Sequence, residues 1–136
     1  MLYSLNMEGY WVDQNRSAMP CYSGVYCVYA CTYNASSNTV ALRALLYVGQ
    51  AQNVNVRIFN HEKRGVWAQH LNFGETVCYT CAYVDGRSLD VVEAALVYKL
   101  KPPVNDLLIT HYVHSPSVVS VGGQWPYPAL SVFSVP

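Results

Sequence analysis

Apolar positions along this chain fall mostly into short β-type runs, and a helical spacing appears in only two stretches. Residues 22–31, rich in Tyr, Val and Cys, predict one strand, and residues 40–48 predict a second. Between them Tyr33-Asn34-Ala35-Ser36-Ser37-Asn38 has loop composition, so the pair reads as a hairpin with a long connection. Asn53 suits an N-cap and Gly65 a C′ position, which predicts a helix of about three turns between them. Residues 66–71 predict a further short helical piece, and residues 76–84 a third strand closed by Asp85-Gly86. Ser88 then opens a second clear helix, which Pro102 and Pro103 must end near Lys101.

The ends are less patterned. Residues 1–19 are mixed and polar and read as an entry segment; residues 109–136 are β-prone, with four prolines and Gly122-Gly123. That tail has the character of an edge strand, an arm packing on the core or a partner, or a dimer contact. The element order predicts an α+β fold over residues 20–108: a small antiparallel three-stranded sheet flanked by helices, followed by the β-prone C-terminal arm.

At 136 residues, 52% hydrophobic and 12% charged, the chain is long enough for one globular domain with a modest core. Lys+Arg and Asp+Glu balance at 8 each, so nucleic-acid binding would have to come from a local patch. Its 12 tyrosines supply apolar area with a polar tip. The apolar runs are too short to span a bilayer, so no membrane partner is expected. The opening Met1-Leu2-Tyr3-Ser4-Leu5-Asn6 has no basic region followed by an apolar one, so no secretory signal is expected. The five cysteines are then expected to be reduced thiols in the cytoplasm.

Three segments carry candidate chemistry. On a helical projection Glu93 shares a face with Leu89, Leu96, Val97 and Leu100. A carboxylate there needs a cation, a donor or water in a cleft, unless it is a partly exposed glutamate in an apolar helix. Arg57 and His61, four residues apart, would stack on one face of the first helix, with Arg64 a turn further. Guanidinium and imidazole on one stripe suit an anionic phosphate; the alternative is an ordinary solvated face. Gly24-Val25-Tyr26 and Tyr47-Val48-Gly49 each set a tyrosine beside a glycine within a β-type run.

The order of these residues is more specific than any one of them. Tyr47 precedes Arg57 by ten positions, His61 follows Arg57 by four, and Asn105 follows Glu93 by twelve. In this order the chain resembles the GIY-YIG nucleases over roughly residues 20–108. Gly24-Val25-Tyr26 is similar to the first tripeptide of the family and Tyr47-Val48-Gly49 to the second. Arg57, His61, Glu93 and Asn105 match its arginine, histidine, metal-ligand glutamate and following asparagine. Gln50 stands where several members carry a lysine.

The resemblance implies a metal-dependent endonuclease that hydrolyses phosphodiester bonds in DNA by in-line attack of water. Glu93 would be the one protein ligand of a single Mg²⁺ or Mn²⁺ ion, which would stabilise the leaving oxygen. Tyr26 would act as general base or orient the water, with His61 accepting its proton. Arg57 would stabilise the transition state, Tyr47 would help orient water or phosphate, and Asn105 would brace the site. Gly24 and Gly49 would allow close packing beside the tyrosines. Lys63, Arg64, Lys99 and Lys101, with Arg43 and Arg87, are the remaining candidate contacts to nucleic acid, foremost double-stranded DNA. With so few, binding is expected to be weak with a shallow salt dependence, and sequence-specific recognition to need a homodimer.

Two rival readings remain. Cys78 and Cys81, with Cys27 and Cys31, have a spacing found in zinc sites, but an i,i+3 pair in a strand points to opposite faces, which favours core packing. The other is a catalytically silent GIY-YIG-like module for binding or assembly, which the neutral charge and the apolar tail would suit.

Overall fold

The computed structural model describes residues 1–105 and 111–136. Its strands are β1 (Leu2–Val12), β2 (Gly24–Asn34), β3 (Thr39–Ala51), β4 (Thr76–Tyr83), β5 (Ser117–Gly123) and β6 (Val132–Val135). They form one sheet in the order β3-β2-β4-β1-β5-β6. This corrects the expected three-stranded antiparallel sheet flanked by helices: the sheet is six-stranded and mixed, it curls into a half-barrel, and the helices are few and short.

Strand β2 lies between β3 and β4 and pairs antiparallel with both, and the extra strands come from the entry segment and the arm. In β1, Leu5 and Met7 face the core while Ser4, Asn6 and Glu8 face solvent. This period-two pattern averages to mixed polarity, which hides a strand with one wet face. The first half of β1 pairs in parallel with β5, from Leu2 opposite Val118 to Met7 opposite Gly123. Its second half pairs antiparallel with β4, from Glu8 opposite Cys81 to Val12 opposite Cys78, with a bulge between Gly9 and Trp11 that sharpens the bend. The junction at residue 108 between core and arm lies outside the described residues.

The three α-helices are α1 (Val54–Phe59), α2 (Arg64–Gln69) and α3 (Leu89–Leu100). Helix α3 touches β2 and β3 at one end of the sheet and β5 and β6 at the other, so the sheet wraps around it. Leu89, Val92, Ala95 and Leu96 of α3 pack there with Val25, Cys27 and Tyr29 of β2 and Val119 and Phe133 of the arm. On the opposite face Val54, Ile58 and Trp67 of α1 and α2 cover Tyr26, Val28 and Ala30. Strand β2 is thus buried on both sides, and each large apolar side chain it buries contributes about 1.5–3 kcal/mol.

The three-turn helix expected between Asn53 and Gly65 stops at Phe59 as α1, and the short helical piece expected over residues 66–71 is α2, which starts earlier and takes Gly65 into its first turn. Asn53 does cap α1, its side chain accepting from the Val56 N–H at 3.2 Å. The break has a polar cause. The Asn60 amide donates to the Val56 carbonyl, and His61 turns inward so that its Nδ1 accepts from the Lys63 N–H at 3.0 Å. Both bonds compete with continuation of the helix. Helix α3 ends at Leu100, with Lys101 left-handed (φ 47°) ahead of Pro102. Ser88 makes no side-chain cap; Asp85 opens the preceding turn by accepting from the Arg87 N–H.

Cys78 and Cys81 face opposite sides of β4, and all five cysteines are free. Among the described residues no helix is long and apolar enough to cross a membrane.

Candidate active site

The site is built at the far end of the edge strand β3. Tyr26 of β2 is buried and lies across β3, over Gly49. A Cβ at Gly49 would overlap the Tyr26 hydroxyl and ring edge, so glycine is the residue that lets the ring lie there. Gly24 answers a similar demand, because a Cβ there would strike the Ala82 carbonyl of β4. Tyr47, His61 and Trp67 complete an aromatic box. The Tyr47 ring lies 5.3 Å from the imidazole, and Trp67 lies 4.5 Å from it.

His61 is buried and its Nε2 is 2.8 Å from the Tyr26 hydroxyl. Because Nδ1 already accepts from the Lys63 N–H, the proton of the neutral ring sits on Nε2 and is donated to Tyr26. This reverses the direction expected from the sequence, in which His61 accepts the Tyr26 proton. Burial, and then the Arg57 charge, lower the imidazole pKa to about 4, so the ring is neutral at neutral pH. Burial pushes the Tyr26 phenol well up and Tyr47 adds to the rise, while Arg57 opposes it. Tyr26 is therefore a neutral phenol whose oxygen accepts from His61 and whose own proton is free to point elsewhere.

Arg57, at the end of α1, is not stacked on His61 along one helix as expected. The chain turns after Asn60 and returns Glu62 onto the guanidinium, with a two-pronged ion pair at 2.6 and 2.8 Å. That pair raises Arg57 and lowers the Glu62 carboxyl to about 2. Sequence reasoning passed over Glu62, since it lies five residues from Arg57 and a continuous helix would separate them.

Glu93 reaches the site from the other side of β3. Gln50, next to Gly49 and pointing the opposite way, donates from Nε2 to Glu93 at 3.2 Å and to Asp90 at 2.7 Å. Burial raises the Glu93 carboxyl, Gln50 opposes this, and the Asp90 charge adds to the rise. Asp90 was also missed, although its i,i+3 spacing puts it on the Glu93 face. Two carboxylates meeting at one amide nitrogen, one of them half-buried and electrostatically strained, suit a hard cation such as Mg²⁺ or Mn²⁺. Among the described residues no group of three or more His, Cys, Asp or Glu is gathered to hold an ion, so such an ion would keep much of its hydration.

Asn105 braces β3. Its side chain accepts from the Val48 N–H at 3.0 Å and donates to the Val48 carbonyl at 2.8 Å, while Val104 donates to the Leu46 carbonyl. These bonds occupy the open side of an edge strand. The candidate nucleic-acid cations are placed less favourably. Arg64 is held two-pronged by Asp13, at 2.8 and 2.9 Å, and also meets Tyr79. Lys101 folds back onto the Tyr98 ring and carbonyl, Lys63 is half-buried beside His61, and Lys99 is exposed at the end of α3.

No family model matches this chain, and no curated protein or solved structure matches it either. The resemblance noted above therefore stands on the motif residues.

Proposed function

We propose that this protein is a divalent-metal-dependent endonuclease that hydrolyses phosphodiester bonds in DNA. The observation that carries the reading is the gathering of Tyr26 from β2, Arg57 and His61 from α1 and its following turn, and Glu93 from α3 at the end of β3. They act on one another: His61 bonds Tyr26, and the charges of Arg57 and Glu93 both bear on the phenol. In this reading Arg57 grips two phosphate oxygens and offsets the charge that grows on the phosphorus. The His61 Nε2–H holds the Tyr26 oxygen in place. Tyr26, a neutral phenol, directs its own O–H toward the attacking water and orients it, and the water's proton passes to solvent as the bond to phosphorus forms. Glu93 would hold a divalent ion, which would supply positive charge to offset the negative charge growing on the leaving oxygen. Tyr47 closes the apolar wall beside His61, and Asn105 fixes β3 so that Gly49 and Gln50 keep their places. The five free thiols suit a reducing compartment, and we assign the protein to the cytoplasm on that ground.

The test is cleavage of plasmid, single-stranded DNA and RNA with Mg²⁺ or Mn²⁺, beside Glu93→Ala, Arg57→Ala and an EDTA control. Cleavage of DNA that needs metal and is lost in both variants supports the reading. If the native protein is inert on all three substrates, the reading falls and a non-catalytic binding module replaces it.

A further inference from the structure

We infer that Glu62 is a built-in stand-in for phosphate that holds Arg57 closed until an anionic ligand displaces it. This rests on the reading of Arg57 as the phosphate-gripping group. All five arginines of the chain face a carboxylate: Arg16 and Arg64 face Asp13, Arg43 faces Glu75, Arg57 faces Glu62 and Arg87 faces Asp85. Four of these pairs do not bear on the site's chemistry. Asp13 is tied to Arg16, Arg64 and the Tyr79 hydroxyl at once, and only 8% of the Glu75 side chain is exposed. The Arg87–Asp85 pair is long, at 3.6 Å, and Arg87 is almost wholly in solvent.

The Glu62 pair differs in geometry and in freedom. Its two carboxylate oxygens meet the guanidinium fork at 2.6 and 2.8 Å, the seats that two phosphate oxygens would take. The Glu62 side chain is 64% exposed and sits in the turn between α1 and α2, so it can swing into water with little desolvation penalty. Next to it His61 is buried and anchored at both ring nitrogens, so the turn itself need not move. A carboxylate is a weaker partner than a phosphodiester that also reaches the rest of the site. Exchange of the two is thus favourable only for a ligand that makes those further contacts, so Glu62 screens out stray anions. Tyr26 also hydrogen-bonds the guanidinium, and Tyr47, His61 and Glu93 lie within reach of its charge, but Glu62 supplies the two-pronged pair that occupies the fork.

The experiment compares native protein with Glu62→Gln, each also in an Arg57→Ala background. Two probes are used: a fluorescein-labelled DNA duplex in EDTA, and inorganic phosphate followed by the Lys63 amide resonance. Glu62→Gln is expected to bind the duplex about two- to fivefold more tightly at 0.15 M salt, the worth of one exposed ion pair. Its log–log salt slope should steepen by about 0.9, one added phosphate contact. Both gains should vanish in the Arg57→Ala background. Equal tightening without Arg57 would mean simple removal of a charge, and unchanged or weaker binding would mean that Glu62 only orients Arg57; either result overturns the inference. The two readings fail separately. Stronger phosphate binding through Arg57 in a protein that cleaves nothing keeps the stand-in and removes the nuclease, whereas metal-dependent cleavage with no effect of Glu62→Gln on binding does the reverse.

Discussion

Gly49→Ala is the sharpest probe of how this site is built, because it adds one methyl group at the point where the Tyr26 ring crosses β3. The new Cβ would overlap the hydroxyl, Cζ and one ring edge of Tyr26. The ring cannot simply turn aside, for it is 1% exposed and flanked by Tyr47 at 6.3 Å and His61 at 5.9 Å. Forcing an extra methyl into such packing costs about 1–3 kcal/mol. Displacing the ring also loses the bond to His61, worth about 0.5–1.5 kcal/mol. Against this, alanine in a strand gains about 0.5–1 kcal/mol over glycine. The expected net loss is about 0.5–4 kcal/mol, centred near 2, by urea unfolding. A double-mutant cycle isolates the cause. Tyr26→Val removes the ring but keeps a strand-forming residue, and in that background Gly49→Ala should be neutral or slightly stabilising. If Gly49→Ala costs as much without the ring as with it, the overlap is not the reason for glycine here and the packing argument is wrong. Where the native protein cleaves, a ring displaced by about 1 Å should lower the rate by about 10²-fold.

Three further outcomes are expected. His61 keeps a folded-state pKa of about 4, below its unfolded value of 6.5, so the unfolded chain takes up a proton that the folded one refuses as pH falls through that window. Stability should drop by about 3 kcal/mol between pH 6.5 and 4, and His61→Gln should flatten that part of the pH–stability curve. Glu93→Gln removes a half-buried charge set against Asp90, so without metal its melting temperature should equal or exceed the native one. With about 10 mM Mg²⁺ and a Kd of about 1 mM, the native protein should gain about 1.4 kcal/mol and the variant nothing; equal gains would remove Glu93 as ligand. Asn105→Ala leaves both backbone groups of Val48 unpaired on an edge strand and should cost about 1–3 kcal/mol, with faster hydrogen exchange at the Val48 amide as the local check.

What the sequence made legible follows from how local each signal is. Strands β2, β3 and β4 are rich in apolar and β-prone residues between turn-forming segments and were readable as strands. Strand β1 was not, because Ser4, Asn6 and Glu8 on its wet face dilute the alternation of Tyr3, Leu5 and Met7. Strands β5 and β6 were seen as β-prone, but their place was not. The parallel pairing of β5 with β1 joins residues more than a hundred apart, and no local pattern encodes it. The six-stranded sheet needs that pairing and the pairing of the unrecognised β1 with β4, which is why the expected sheet stopped at three strands. The helix break at Asn60-His61 escaped for another reason: the local side-chain bonds of Asn60 and His61 to backbone are joined by the tertiary bond of His61 to Tyr26, which helical spacing does not reveal.

That same break reorders the chemistry. Had the helix continued, Arg57 and His61 would share one solvated stripe, both free to meet a phosphate. As it is, His61 is drawn under cover and becomes a donor to the phenol, and Glu62 swings onto the guanidinium. One local departure from regular structure therefore divides the work. The buried half holds the Tyr26 oxygen through His61, and the exposed half occupies the Arg57 fork through Glu62. The charge balance of the chain fits this division. Every arginine faces a carboxylate, which leaves little open basic surface. In the proposed reading the attraction to a polyanion is gained at the site by exchange of one acidic partner for another, and Glu62 is the most exposed of those partners.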